Sequence, residues 1–380
     1  MDKKQYIPQI PLKLLRKWVK PGKVVVIYGP RRTGKTTLLN HYLAEKERYI
    51  LVNGENLQAQ QYLGSRSVEM MRSYIGNTPL LVVDEAQHID QIGLNLKMLI
   101  DNCPDLEIIA TGSSSFELAN QVGEPLVGRK WQIHLYPLAQ LELAQIESRP
   151  ESLDRLEHRL IYGSYPDVVL ADSNEDRKHY LEELIDSYLY KDILQLDGIR
   201  HAKKILNLLQ LLAHQIGKEV SVSELSKSLA VSYHTVDRYL DLLEKCFVIT
   251  YLGGFSRNLR KEVVRNGRYY FYDVGVRNAL INNFNLLSRR NDVGQLWENY
   301  LVMERIKLQK YTRLWSNNYF WRTYDQKEID WIEDRDGQLH AYDFKYNDTG
   351  KRGIPKLWHN TYPDSTSQIV DRHNYLDFIT

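Results

Sequence analysis

Four short apolar runs punctuate the first third of the chain: VVVIYG (24–29), YILVNG (49–54), LLVVDE (80–85) and EIIATGS (107–113). Between them, apolar residues recur at three- and four-residue spacing. Strand-length runs alternating with helical periodicity predict a parallel sheet covered by helices. WQIHLYPL (131–138) predicts one further strand that closes the block. Beyond it the pattern changes. Residues 151–217 read as almost wholly helical, with apolar pairs in YLEELIDSYLYKDILQL and ILNLLQLLAHQI. Two helices joined by a tight turn and then two strands are predicted up to residue 273. A long helix, VGQLWENYLVMERIKLQK, leads into a strand-rich end. No internal repeat or low-complexity linker interrupts the chain.

At 380 residues the chain is long enough for two or three domains, and 43% hydrophobic with 26% charged residues are the fractions of a folded protein. The net charge of +2 hides an asymmetry. Residues 200–270 hold twelve Lys and Arg against six Asp and Glu, giving +6 and leaving −4 for the remainder. A local basic excess suggests a polyanion-binding module, or else a solvated charged face. Cys103 and Cys246 stand far apart, which fits a reducing cytosol and excludes a disulfide framework or zinc site. The stretch MDKKQYIPQIPLKLL lacks the apolar region of a signal peptide, and no apolar run is long enough to span a membrane. The expectation is a cytoplasmic protein with no membrane partner.

Gly29-Pro30-Arg31-Arg32-Thr33-Gly34-Lys35-Thr36-Thr37 follows the first apolar strand directly and fits the Walker A pattern. Glycines let backbone N–H groups turn inward around phosphates, and the helix that follows directs its positive end at them. Lys35 would reach the β- and γ-phosphates of ATP, and the Thr36 hydroxyl would ligate Mg²⁺. Asp84, at the end of a fully apolar strand, fits the Walker B carboxylate of the Mg²⁺ shell. Glu85 can polarise the attacking water. Thr111-Gly112-Ser113 reaches the same sheet edge, which suits Ser113 as a γ-phosphate sensor. Arg129 could act as a finger on a neighbour's ATP, which would require an oligomer, or could sit in a surface salt bridge.

In the basic segment, Ser221-Val222-Ser223-Glu224 predicts a capping box that opens a short helix. A turn at Val231-Ser232 leads to a second helix, YHTVDRYLDLLEKC. Leu225, Leu229, Val236, Leu240 and Leu243 would form the core, leaving Ser232, Tyr233, His234, Asp237 and Arg238 outward as in a DNA-recognition helix, with Tyr233, His234 and Arg238 as the DNA contacts. A basic loop between two strands would form a wing, with Arg257, Arg260, Lys261, Arg265 and Arg268 on phosphates. A protein-binding lid is the alternative.

Near the end of the chain, Asp336-Gly337 is a strong two-residue hairpin turn. Pairing outward from it sets Asp330 opposite Asp343, with Cβ atoms about 5 Å apart, where like charges repel unless a cation intervenes. Lys345 lies on the same face two residues on. The other face would pair Ile329 with Phe344 and Trp331 with Tyr342, an apolar surface for packing.

GPRRTGKTTLL, LLVVDEAQ and TGSS resemble one prokaryotic branch of the AAA+ ATPases over residues 20–145. YGSYPDVVL (162–170), SYLYKDI (187–193), YFYDVGVRNAL (270–280) and LWENYL (296–301) extend the similarity over nearly the whole chain. The resemblance implies an α/β fold class. It divides the chain into a P-loop AAA+ core over 1–145, a helical lid or linker over 146–217, a winged helix over 218–285 and a PD-(D/E)XK nuclease-like domain over 286–380. In such nuclease cores Asp330 and Asp343 would bind a metal ion with Glu298 from the preceding helix, and Lys345 would steady the water or the phosphate. Asp343 is shorter than the Glu usual there. The family further implies a homo-oligomer, commonly a hexameric ring. The expected function is an ATP-hydrolysing DNA motor, for which branched or junction DNA would be a fitting substrate. A slow regulatory ATP switch and an ATP-gated, Mg²⁺-dependent nuclease are the alternatives.

Overall fold

The computed structural model describes residues 6–112, 126–186, 202–256, 267–323, 325–347 and 353–380. Strands β1 (Val24–Tyr28), β2 (Ile50–Asn53), β3 (Leu80–Asp84), β4 (Glu107–Gly112) and β5 (Lys130–His134) form one sheet in the order β2-β3-β4-β1-β5. Every neighbouring pair is parallel. All of β1 and the first four residues of β3 are buried, because crossover helices cover both faces. That is why these strands read as unbroken apolar runs rather than as an alternation. Leu15, Trp18, Val25, Ile27, Leu38, Leu39, Val82 and Ile109 belong to the core between sheet and helices. The α/β class with a parallel sheet is therefore as expected. Pro8–Pro137, with Lys245–Phe247, forms one compact unit.

The second compact unit comprises Leu138–Glu244 and Val248–Thr380, with the residues before Pro8. Its first part is helical and includes helices at Arg149–Asp154, Leu156–Tyr162, Asn174–Leu184 and Ala202–His214. Then come β6 (Glu219–Val220), helices Val222–Leu229 and Tyr233–Lys245, β7 (Ile249–Gly254) and β8 (Gly267–Phe271). The long helix Val293–Thr312 precedes β9 (Asn317–Arg322), β10 (Glu328–Arg335), β11 (Gln338–Phe344) and β12 (Thr366–Val370). All seven strands join one sheet, in the order β12-β11-β10-β9-β7-β8-β6. The join is a parallel pairing of β7 with β9 at Gly253–Tyr319 and Gly254–Phe320. A single sheet thus runs through the border drawn at 285–286.

Three quoted motifs interlock in this unit. Asp273 accepts hydrogen bonds from the Gly275 and Val276 amides (2.8 and 3.2 Å) and from the Ser164 amide (2.7 Å). Asn278 Nδ2 donates to the carbonyls of Leu160 and Ile161. The Asn299 side chain bonds both the N–H and the C=O of Phe271. YGSYPDVVL, YFYDVGVRNAL and LWENYL are therefore held together by buried side chains that satisfy backbone groups. SYLYKDI lies outside the described residues.

The hairpin of β10 and β11 has the expected register, from Trp331 opposite Tyr342 to Arg335 opposite Gln338. Asp336 and Gly337 turn it with φ of 51° and 85°. One expectation fails. The β10–β9 ladder shifts register between Ile329 and Ile332, and this bulge breaks the strict alternation of faces. Ile329 consequently packs with Ile332, Leu339, Ala341, Trp321 and Trp358, whereas the Trp331 indole donates to Glu333. Both sides of the strand are buried, and the carboxylates do not face water. Among the described residues, no helix is long and apolar enough to cross a membrane.

Candidate functional site

The Walker A segment turns between β1 and the helix Lys35–Leu43. A Cβ at Gly29 would lie 2.1 Å from the Leu135 carbonyl oxygen, so only glycine fits this approach. Gly34 caps the helix with φ 94°, the left-handed region where glycine carries no penalty. Thr33 is buried, and its Oγ1 donates to the Pro30 carbonyl at 2.8 Å. Gln9 Nε2 donates to the Thr33 carbonyl at 3.0 Å and braces the loop from outside. Lys35 is buried with its Nζ donating to the carbonyls of Gly29 and Pro30, both at 2.9 Å. An ammonium inside a loop whose helix opens toward it forms an anion cradle. Arg31 is partly exposed, and Arg32, Thr36 and Thr37 are exposed along the loop and first helical turn.

Strand order brings the other groups to the same edge, since β4 lies between β1 and β3. Thr36 Oγ1 donates to Asp84 Oδ2 at 2.9 Å. The Thr111 hydroxyl donates to Asp84 Oδ1, and the Glu85 amide donates to Thr111 Oγ1 at 3.2 Å. Thr111 thereby links the Walker B carboxylate to the end of β4. Its position at a strand end, next to the expected sensor, was the available signal. Glu85 itself has φ 49°, a left-handed backbone for a non-glycine residue. Its carboxylate accepts a hydrogen bond from Gln87 Nε2. Nothing in the sequence pattern flagged Gln9 or Gln87. Ser113 lies outside the described residues. Arg129 is partly exposed and pairs with Asp101 at 3.0 Å. An oxygen pair at 2.9 Å, hydroxyl and carboxylate beside the cradle, fits Mg²⁺, a hard cation that takes oxygen ligands.

In the basic segment, Ser221 Oγ accepts from the Glu224 amide and caps the first helix. Leu225, Leu229, Val236, Leu240 and Leu243 are all buried. Tyr233, His234 and Arg238 are exposed at the start of the second helix, with Tyr233 half exposed and its ring edge-on to His234. Arg257, Arg260, Lys261 and Arg265 lie outside the described residues. Arg268 needs correction. It is only 3% exposed and held by carboxylates, so it cannot reach a phosphate backbone.

Those carboxylates are the expected nuclease-like set. Arg268 Nη1 lies 2.9 Å from Glu298 Oε1 and 3.7 Å from Asp330 Oδ1, and its Nη2 lies 2.9 Å from Glu328 Oε2. Tyr270 O–H also donates to Glu298 Oε1, at 2.6 Å. Asp330 Oδ2 accepts from the Phe344 amide at 2.9 Å, and Asp343 is bridged by Lys345 Nζ at 2.9 Å. Burial, and next the charge of Asp330, pushes Asp343 up to about 7, against the pull of Lys345. Glu298 is likewise pushed up to about 7 by burial, with Arg268 opposing and Asp330 adding to the rise. Burial alone would lower the Arg268 guanidinium, but Glu298 and its neighbours raise it above its ordinary value. Among the described residues, no group of three or more His, Cys, Asp or Glu is arranged to hold a metal ion. Where the resemblance implied a metal ion, Glu298 and Asp330 instead meet the Arg268 guanidinium, and Asp343 meets the Lys345 ammonium.

Residues 21–144 match a family model described as an AAA domain, and this segment contains Lys35, Thr36, Asp84, Glu85 and Thr111. Residues 153–287 and 293–372 match two models described as domains of unknown function, DUF8612 and DUF4143. An uncharacterized protein of Mycobacterium tuberculosis, Rv2008c, is 29% identical over 339 residues, covering 88% of this chain and 73% of that protein. An uncharacterized protein of Methanocaldococcus jannaschii, MJ1544, is 25% identical over 90% of this chain and 80% of its own length. Among solved structures, the Walker-type ATPase PABY2304 of Pyrococcus abyssi superposes with a TM-score of 0.52 at 16% identity. It covers 73% of this chain and 97% of its own, a likeness of fold. Residues 21–144 are thus similar to an AAA domain and have a P-loop fold.

Proposed function

We propose that the chain is an ATP hydrolase that couples turnover to DNA through its second unit. The observation that carries the hydrolase reading is the convergence of Lys35, Thr36, Asp84, Glu85 and Thr111 at one edge of a parallel sheet. Lys35 and the loop amides would bind the phosphates, and Thr36 with Asp84 would hold Mg²⁺, which supplies charge neutralisation there. Thr111 keeps Asp84 aimed at the cradle. Glu85 takes a proton from the attacking water once its bond to Gln87 is released. Tight binding and slow turnover, the behaviour of an ATP switch, is the second reading, and that same Gln87 bond favours it by engaging the general base.

The DNA reading is supported by the helix–turn–helix and its strands, read as a winged helix, and by the charge of +6 over 200–270. With Arg268 withdrawn, phosphate contact falls to Arg257, Arg260, Lys261 and Arg265, beside Tyr233, His234 and Arg238. A homo-oligomer, a hexamer in the family's usual form, would let Arg129 exchange Asp101 for a neighbour's ATP. One experiment tests the reading: ATP binding and turnover of the parent, Lys35→Ala and Glu85→Gln, each with no DNA, duplex and junction DNA. Lys35→Ala should lose binding. Glu85→Gln should keep it while turnover drops by about 10²–10⁴-fold. Near-normal turnover in both variants removes the hydrolase reading, and parent turnover indifferent to every DNA leaves the switch.

A further inference from the structure

Four carboxylates of the second unit, Glu298, Glu328, Asp330 and Asp343, meet two cations, Arg268 and Lys345. We infer that Arg268 is the resident cation of this junction. It takes the place a divalent ion would need and fastens the β7–β8 hairpin to the C-terminal strands without metal. The geometry is that of a built site. The guanidinium is 3% exposed, spans three of the four carboxylates, and lies over the Phe320 ring with its carbon 4.5 Å from the centroid. It therefore bonds Glu298 on the long helix and Glu328 on β10, and stacks on β9. Glu298 Oε1 is already committed to two donors, Arg268 and Tyr270.

A hard divalent ion requires oxygen ligands at roughly 2.0–2.6 Å. Glu298 Oε1, Glu328 Oε2, Asp330 Oδ2 and both Asp343 oxygens are engaged by N–H or O–H donors, and an added ion would face a buried positive charge a few ångströms away. Such repulsion is large in a partly buried site. The strand join explains why a fastener is needed. β7 meets β9 through two glycines, Gly253 and Gly254, which bring no side chains to the contact. The Arg322–Glu219 pair at 3.1 Å adds a second, partly exposed tie between β9 and β6.

The test uses the full chain in a Lys35→Ala background, without nucleotide, with Mn²⁺ as the probe. Binding is followed by electron paramagnetic resonance of the free ion and by melting temperature. The Lys35→Ala protein should bind no Mn²⁺ that Asp343→Asn removes, and the ion should shift both melting temperatures equally. Adding Arg268→Ala removes the cation and exposes the carboxylates. Mn²⁺ affinity should then rise by at least about tenfold, and adding Asp330→Asn should abolish the gain. Should Arg268→Ala fail to fold, the comparison of Lys35→Ala with and without Asp343→Asn still decides. Mn²⁺ binding that Asp343→Asn eliminates overturns the inference. So does a folded Arg268→Ala protein that melts like its parent and binds no additional ion.

Discussion

Two acidic clusters occupy the two units of this protein, and they differ in what answers their charge. At the P-loop, Asp84 is met by the hydroxyls of Thr36 and Thr111, and Glu85 by the Gln87 amide. At the hairpin, Glu298, Glu328 and Asp330 are met by a buried guanidinium, and Asp343 by the Lys345 ammonium. Neutral donors hold a carboxylate in position while leaving its charge for a cation that arrives with a ligand. A buried arginine neutralises the charge permanently and ties elements together. Two carboxylates facing one another are therefore weak evidence of a metal site until the nearby cations are counted.

The largest effect expected from this contrast is on stability. Arg268→Met leaves three carboxylates without their buried partner and should destabilise the protein by about 3–5 kcal/mol in urea unfolding. Thr111→Val removes two hydrogen bonds at the other cluster, one to the Asp84 carboxylate and one from the Glu85 amide, without leaving a buried charge unpaired, and should cost less, about 1.5–3 kcal/mol. Similar losses in the two variants would break the distinction drawn between them.

A smaller effect is expected in pH dependence. Asp343 is shifted up to about 7 in the folded protein, mainly by burial, from an ordinary value of 3.8. The folded state therefore holds more protons than the unfolded chain between these two values, and its stability falls as pH rises through that window. Asp343→Asn cannot ionise. Relative to the parent, its melting temperature should climb between about pH 4 and pH 7 and level off above that. A constant difference over that range would mean that Asp343 is not held above its ordinary value.

The P-loop core was legible in the sequence because its logic is local. Apolar runs end in Gly29, Asp84 and Thr111, and parallel order brings consecutive strand ends to one edge. Hairpin register was legible for the same reason, fixed by Asp336-Gly337 and the two strands beside it. The role of Arg268 was not. It lies 62 residues before Asp330 in the sequence, in a basic run that reads as a phosphate-contacting wing. The pairings of β8 with β7 and of β7 with β9 place it among the carboxylates. The bulge between Ile329 and Ile332 was equally hidden, because it arises from the neighbouring strand and not from the hairpin itself. Gln87 escaped because a short polar side chain next to Walker B has no periodic signature.

The central claim is that one acidic cluster serves Mg²⁺–ATP and the other serves no metal. Counting Mn²⁺ per chain, with and without a saturating non-hydrolysable ATP analogue, tests it most directly. The account predicts one tightly held ion per chain with the analogue, lost in Lys35→Ala, and none without it. A second ion that persists in Lys35→Ala and disappears in Asp343→Asn would contradict it.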